Sequence, residues 1–226
     1  AAARRELCGL ARFGLAALIV LLSAVRPAAA EPPVLFEVAQ RSSIRDASTL
    51  AVRQISLGTR SAHGRSCRLY SVSFHSHTYG SGSTVHIFGY HASPRDMGVR
   101  VPGLVMVHGG GGYALQGRAL DAAGRGYAAL AIDLPGKGEG RARSRSTGPD
   151  LSVANLFSSS PQPERNYLYH AVTAAMRSVT YLCAQQEVDR SRVGIYGISW
   201  GGVVSLITGS VDDRIAAVMD MFGSGY

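Results

Sequence analysis

From residue 103 onward, short continuous apolar runs alternate with stretches of helical periodicity, and this alternation limits the possible fold more than any other feature. The runs GLVMV (103–107) and YAALAI (127–132) carry no polar residue on either side, as strands buried on both faces do. Residues 115–125 between them read as a short helix ended by Gly126. Leu168, Val172, Ala175, Val179 and Leu182 recur at helical spacing and predict a helix over 166–186. A strand at 192–196, a helix at 200–208 and a strand at 215–219 follow. Strand and helix taking turns in this way predict an α/β fold around a mostly parallel sheet with right-handed crossovers. Upstream, LYSVSFH (69–75) and TVHIFGYH (84–91) alternate around a Gly/Ser-rich connection at 76–83, which predicts an antiparallel hairpin at the leading edge. Residues 31–60 show little pattern. A 226-residue chain that is 46% hydrophobic and 17% charged can bury one sizeable core and is not a disordered segment.

The first thirty residues stand apart. Arg4, Arg5 and Arg12 form a basic head, residues 15–25 an apolar run, and Ala28, Ala29 and Ala30 a small-x-small site. This is the pattern of a cleaved export signal, and the apolar run is short for a membrane span. The expected organisation is therefore a signal at 1–30, an N-terminal extension and edge hairpin at 31–98, and a partial α/β domain at 99–226. Export to the periplasm or outside the cell follows, with no stable membrane anchor once the signal is removed. Losing four arginines and one glutamate takes the formal charge from +8 to +5. The excess is arginine; Arg141, Arg143 and Arg145 sit in one Gly/Ser-rich loop without interleaved aromatics, so a nucleic-acid partner is not expected. Cys67 and Cys183 remain in the exported chain, where a disulfide is permitted, although Cys183 also reads as an inward helix position. No Cys/His ligand spacing is present, so no metal and no cofactor are expected.

Gly197-Ile198-Ser199-Trp200-Gly201 matches G-x-S-x-G. The match follows an apolar strand and opens an apolar helix, the setting in which such a serine sits on a strained turn with its hydroxyl above the sheet. Glycine is needed two residues to either side because side chains there would meet neighbouring backbone. His108-Gly109-Gly110-Gly111-Gly112 comes directly after the strand at 103–107. Acyl transfer needs preset N–H donors for an oxyanion, and a glycine loop lets backbone approach the substrate. The expected donors are the N–H groups of Trp200 and Gly110, with Gly111 the alternative in the loop. Phosphate binding is the competing reading of this loop, but it lacks G-x-G-x-x-G before a helix and any following Lys-Ser/Thr pair. His108 is expected to stabilise the loop, not to act on substrate.

Together GLVMVHGGGG, YAALAIDLPGKGEG, VDRSRVGIYGISWGG and DDRIAAVMDMFGSGY resemble the α/β-hydrolase superfamily. The nearer resemblance is to bacterial acetyl xylan esterases, dienelactone hydrolases and prolyl-oligopeptidase-like hydrolases, over about residues 99–226. It implies an α/β-hydrolase fold and an acyl-enzyme formed on Ser199, acting on carboxylic esters, including acetyl esters of polysaccharide. A prolyl-oligopeptidase-like peptidase and a non-catalytic hydrolase-fold binding protein are the alternatives; the first would bring propeller repeats, and none precedes this region. The superfamily orders its triad as Ser, then acid, then His. Here all seven histidines precede Ser199, and only Asp212, Asp213 and Asp220 are acidic after it. Some lipases carry their acid where Asp220 stands; the nearer relatives carry it one strand later. Because 215–219 would leave an apolar sheet edge, the expectation is a fragment whose last two strands and catalytic His lie elsewhere, not a divergent protein that lost them. Trp200 and Tyr113 are candidates for walls of an acyl pocket or for simple packing.

Overall fold

A computed structural model describes residues 38–79, 82–136, 144–151 and 166–223, all within one compact unit, Leu35–Tyr226. The expected export signal lies outside the described residues, as do Lys137, Arg141 and Arg143. Seven strands form one sheet: β1 (Arg53–Ala62), β2 (Arg65–Tyr79), β3 (Ser83–Pro94), β4 (Val101–Val107), β5 (Ala128–Ile132), β6 (Val188–Ile198) and β7 (Ile215–Met221). Their spatial order is β1-β2-β3-β5-β4-β6-β7. Strands β4 to β7 run parallel to one another, while β1-β2, β2-β3 and β3-β5 are antiparallel.

The expected leading hairpin is present, longer than its alternating pattern suggested, and β1 extends it into a three-stranded meander. Nothing in 53–62 announced a strand, because nearly every residue of β1 is solvent-exposed and the pattern carries no buried face to read. The helices are α1 (Val38–Arg45), α2 (Gln116–Gly124), α3 (Tyr167–Ala184) and α4 (Trp200–Val211). The last three match the predicted helices to within a few residues.

Each strand shows two faces, and the helices divide between them. On β2, Val72 and Phe74 join the core under α3 and α4, whereas Cys67 and Leu69 face α2 with Ala119 and Ala123. Likewise on β5, Leu130 and Ile132 face α3, and Ala131 faces α2. All five residues of β5 are buried, the two-sided burial that its continuous apolar run predicted. On the α2 side, the portion of the sheet built from β4, β6 and β7 borders an open apolar trough of about 810 Å³ that includes Leu104, Met106, Tyr196, Ala217 and Met219.

A buried arginine fastens α1. Arg177 on α3 is 2% exposed, and its guanidinium donates to the carbonyls of Ser43, Ile44, Asp46 and His75. The first three carbonyls belong to the end of α1 and the turn after it, where a helix leaves acceptors unused, and the fourth lies on β2. Burial pulls the Arg177 guanidinium down to about 10, against a partial restoring pull from Asp46. Cys67 and Cys183 are free thiols, so the permitted disulfide is not formed. Burial raises both thiols above their ordinary range.

Candidate active site

Ser199 occupies the single residue between the end of β6 and the start of α4. Its backbone has φ 53° and ψ −121°, a left-handed φ that non-glycine residues adopt only under constraint. Three hydrogen bonds hold it there. Its N–H donates to the Met221 carbonyl at 2.7 Å, and its carbonyl accepts from Gly202 N–H at 2.8 Å and from Val203 N–H at 3.3 Å. The flanking glycines are required by close approach. A Cβ on Gly197 would overlap the Gly201 carbonyl, and one on Gly201 would lie 2.5 Å from the carbonyls of Val107 and His108. The serine side chain is exposed, and among the described residues its hydroxyl makes no hydrogen bond.

The glycine loop lies against this turn. A Cβ built on Gly109 would stand 3.3 Å from the Cβ of Ser199 and 3.1 Å from the Ile198 carbonyl. Gly112 N–H closes a turn onto the Gly109 carbonyl at 3.0 Å, with Gly111 at φ 71°. Gly110 is exposed at the turn and has no backbone hydrogen bond among the described residues. Trp200 is the first residue of α4, so its N–H is one of those for which a helix offers no internal acceptor. Neither of the two expected donor amides has a backbone hydrogen-bond partner among the described residues, and the Trp200 ring packs towards Tyr167 at 6.3 Å between centroids. Tyr113 lines a cavity of about 190 Å³ beneath the loop, together with Gly112, Leu115, Tyr196 and Ile198.

His108 braces the loop, as its position suggested. Nε2 accepts from Leu134 N–H at 3.0 Å, which leaves Nδ1 as the protonated nitrogen, and Nδ1 donates to the Gly109 carbonyl at 2.7 Å. Asp133 completes the brace, which the sequence reading did not assign. Its buried carboxylate accepts from the N–H groups of Ala114 and Arg145, and its carbonyl accepts from the Ser146 hydroxyl at 3.0 Å. The loop after β4 and the segment after β5 are thereby locked to each other. Arg145 does not belong to a purely solvated basic loop. Its guanidinium lies 4.2 Å from the centre of the Phe88 ring and donates to the Tyr90 hydroxyl at 2.7 Å. The aromatics absent from its own loop come from β3.

None of the seven histidines hydrogen-bonds to Ser199. His91 is fully buried and shares a hydrogen bond with the Tyr181 hydroxyl at 3.0 Å, and His63 pairs with Asp121 at 2.6 Å. His75 lies beside His86, and His77 beside His170. Of the three acids after the serine, Asp212 sits at the far end of α4, held by Arg214 at 2.6 Å and Arg45 at 3.4 Å, and Asp213 pairs with Arg45. Asp220 alone is near the turn: it stands opposite Gly197 in the β6-β7 register.

The model of the acetyl xylan esterase family matches residues 23–223. No curated protein matches the sequence. Among solved structures, acetyl xylan esterase from Paenibacillus sp. R4 superposes with a TM-score of 0.61 at 22% identity, covering 81% of this chain and 58% of that one. Acetyl xylan esterase 1 from Thermoanaerobacterium sp. JW/SL YS485 superposes with a TM-score of 0.60 at 18% identity, covering 79% of this chain and 55% of that one. The chain therefore spans somewhat more than half the length of either solved esterase, and at these identities the likeness is one of fold.

Proposed function

The chain belongs to the acetyl xylan esterase family, and from that premise we propose that it carries the nucleophile and oxyanion half of a carboxylic-ester hydrolase site. In this reading Ser199 Oγ attacks the ester carbonyl and forms a C–O bond, while its proton passes to a histidine base. The negative charge that develops on the carbonyl oxygen is held by the N–H groups of Gly110 and Trp200. Collapse expels the alcohol with that proton and leaves an acyl group on Ser199, which water then removes. The substrate class is a small-molecule or polysaccharide ester, with acetyl esters favoured by the family. The N-terminal pattern at 1–30 supports an exported protein.

One observation carries the proposal. A serine is held at φ 53° between two obligatory glycines, on a strand-to-helix turn facing a glycine loop. Such strain persists only where the surroundings impose it, and it is concentrated at reacting groups. None of the seven histidines reaches Ser199 as they stand. The 226-residue chain by itself is therefore expected to hydrolyse p-nitrophenyl acetate negligibly. The protein expressed from its intact gene should react with a fluorophosphonate probe at Ser199, located by mass spectrometry, and Ser199→Ala should abolish the label. An unlabelled wild type would sink the reading.

A further inference from the structure

The two shortest hydrogen bonds that hold the backbone of Ser199 end on residues that adjoin Asp220. Met221, whose carbonyl takes the Ser199 N–H, is its chain neighbour on β7. Gly202, whose N–H reaches the Ser199 carbonyl, touches the Asp220 side chain directly. Asp220 Oδ1 occupies a slot walled by Gly202 in the first turn of α4 and by Gly223 just after β7. A Cβ at either glycine would overlap that oxygen and would lie 2.8 Å from the carboxyl carbon. The slot exists only because both positions lack side chains. A carboxylate placed there meets the positive end of a twelve-residue helix, an electrostatically favourable position. It also joins the end of β7 to the start of α4, the two elements to which the backbone of Ser199 is hydrogen-bonded.

We propose that Asp220 is a positioning residue for the nucleophile: its carboxylate, seated between Gly202 and Gly223, fixes the end of β7 against α4 and so holds Ser199 in its strained turn. The inference rests on the reading of Ser199 as nucleophile, and it assigns Asp220 a role other than the triad acid. What the slot demands is the shape of a carboxyl group, so the isosteric amide should serve nearly as well.

Two measurements test it. The first is amide hydrogen exchange of the 226-residue chain, which needs no activity. In Asp220→Ala, the Ser199 amide should exchange at least about tenfold faster, with the β5 amides unchanged, because a local opening is made easier without global unfolding. Asp220→Asn should stay within about threefold of wild type, and Gly223→Ala, which evicts the carboxylate without altering it, should behave as Asp220→Ala. If Asp220→Ala does not fold, Gly223→Ala and Asp220→Asn carry the comparison. The second is the rate of fluorophosphonate labelling of the protein from its intact gene. It should fall at least about tenfold in Asp220→Ala and less than about threefold in Asp220→Asn, as expected when a reacting atom is misplaced. Unchanged Ser199 exchange in both Asp220→Ala and Gly223→Ala overturns the proposal. So does an Asp220→Asn variant that keeps wild-type exchange yet labels as poorly as Asp220→Ala, the result required of a charged triad acid. A wild type that shows the exchange pattern but never labels refutes the nucleophile reading and, with it, the functional part of this one.

Discussion

His91 makes the chain acid-sensitive at a site far from any chemistry. The ring is fully buried on β3. Around it stand the Tyr181 hydroxyl at 3.0 Å, Glu187 at 3.9 Å from Nε2, and the Tyr70 ring at 6.0 Å. Burial pulls its pKa from the ordinary 6.5 to about 4; Glu187 opposes that pull and the Arg68 guanidinium reinforces it. The folded state therefore holds His91 neutral where the unfolded chain would protonate it. This contribution to stability is complete above pH 6.5, is lost progressively as pH falls, and is gone below about pH 4. At ~1.4 kcal/mol per decade of proton affinity the whole effect is about 3 kcal/mol, of which about 2 kcal/mol falls between pH 7 and pH 5. For a chain of this size that corresponds to a loss of roughly 4–8 °C in Tm. Urea unfolding at both pH values, compared between wild type and His91→Gln, isolates the term. The glutamine stays neutral and can keep the Tyr181 bond, so its cost at pH 7 should be about 1 kcal/mol, and its loss between pH 7 and 5 about 2 kcal/mol smaller than wild type's. An equal acid loss in both proteins would refute the assignment.

Two further outcomes follow from the same reasoning. Ser199→Gly should relieve the strained turn and raise stability by about 1 kcal/mol while abolishing fluorophosphonate labelling, so a variant that melts below wild type would contradict the strain argument. Arg177→Met keeps the aliphatic stem but strips the donors from four carbonyls. It should cost about 3 kcal/mol and deprotect the amides of α1 before those of the sheet, and a cost under about 1 kcal/mol would show that the clamp is dispensable.

Much of the site was legible in the chain because its requirements are local. A serine between two glycines, after an apolar strand and before an apolar helix, can be read without knowing what surrounds it. The same holds for the glycine loop after β4, whose His108 proved to brace the backbone. Strand β5 announced itself because two-sided burial removes every polar residue from the run, whereas β4, equally apolar and expected to be buried on both faces, buries only one and turns Leu104 and Met106 to the open trough. By contrast β1, exposed along nearly its whole length, left no such trace.

Ser199 and its strained turn were thus determined by the sequence alone, since five consecutive residues and the flanking periodicity suffice to specify a strand-to-helix turn. Only the tertiary structure decided what holds that turn and what does not serve it. The Met221 carbonyl at Ser199, the seating of Asp220 against Gly202 and the Asp133 brace join residues 12 to 22 positions apart, through backbone atoms that no side-chain pattern records. The seven histidines could be counted in the chain, but only packing showed each one engaged elsewhere. Hydrogen bonding across a sheet depends on register and crossover, and those are settled when the elements assemble, not along the chain.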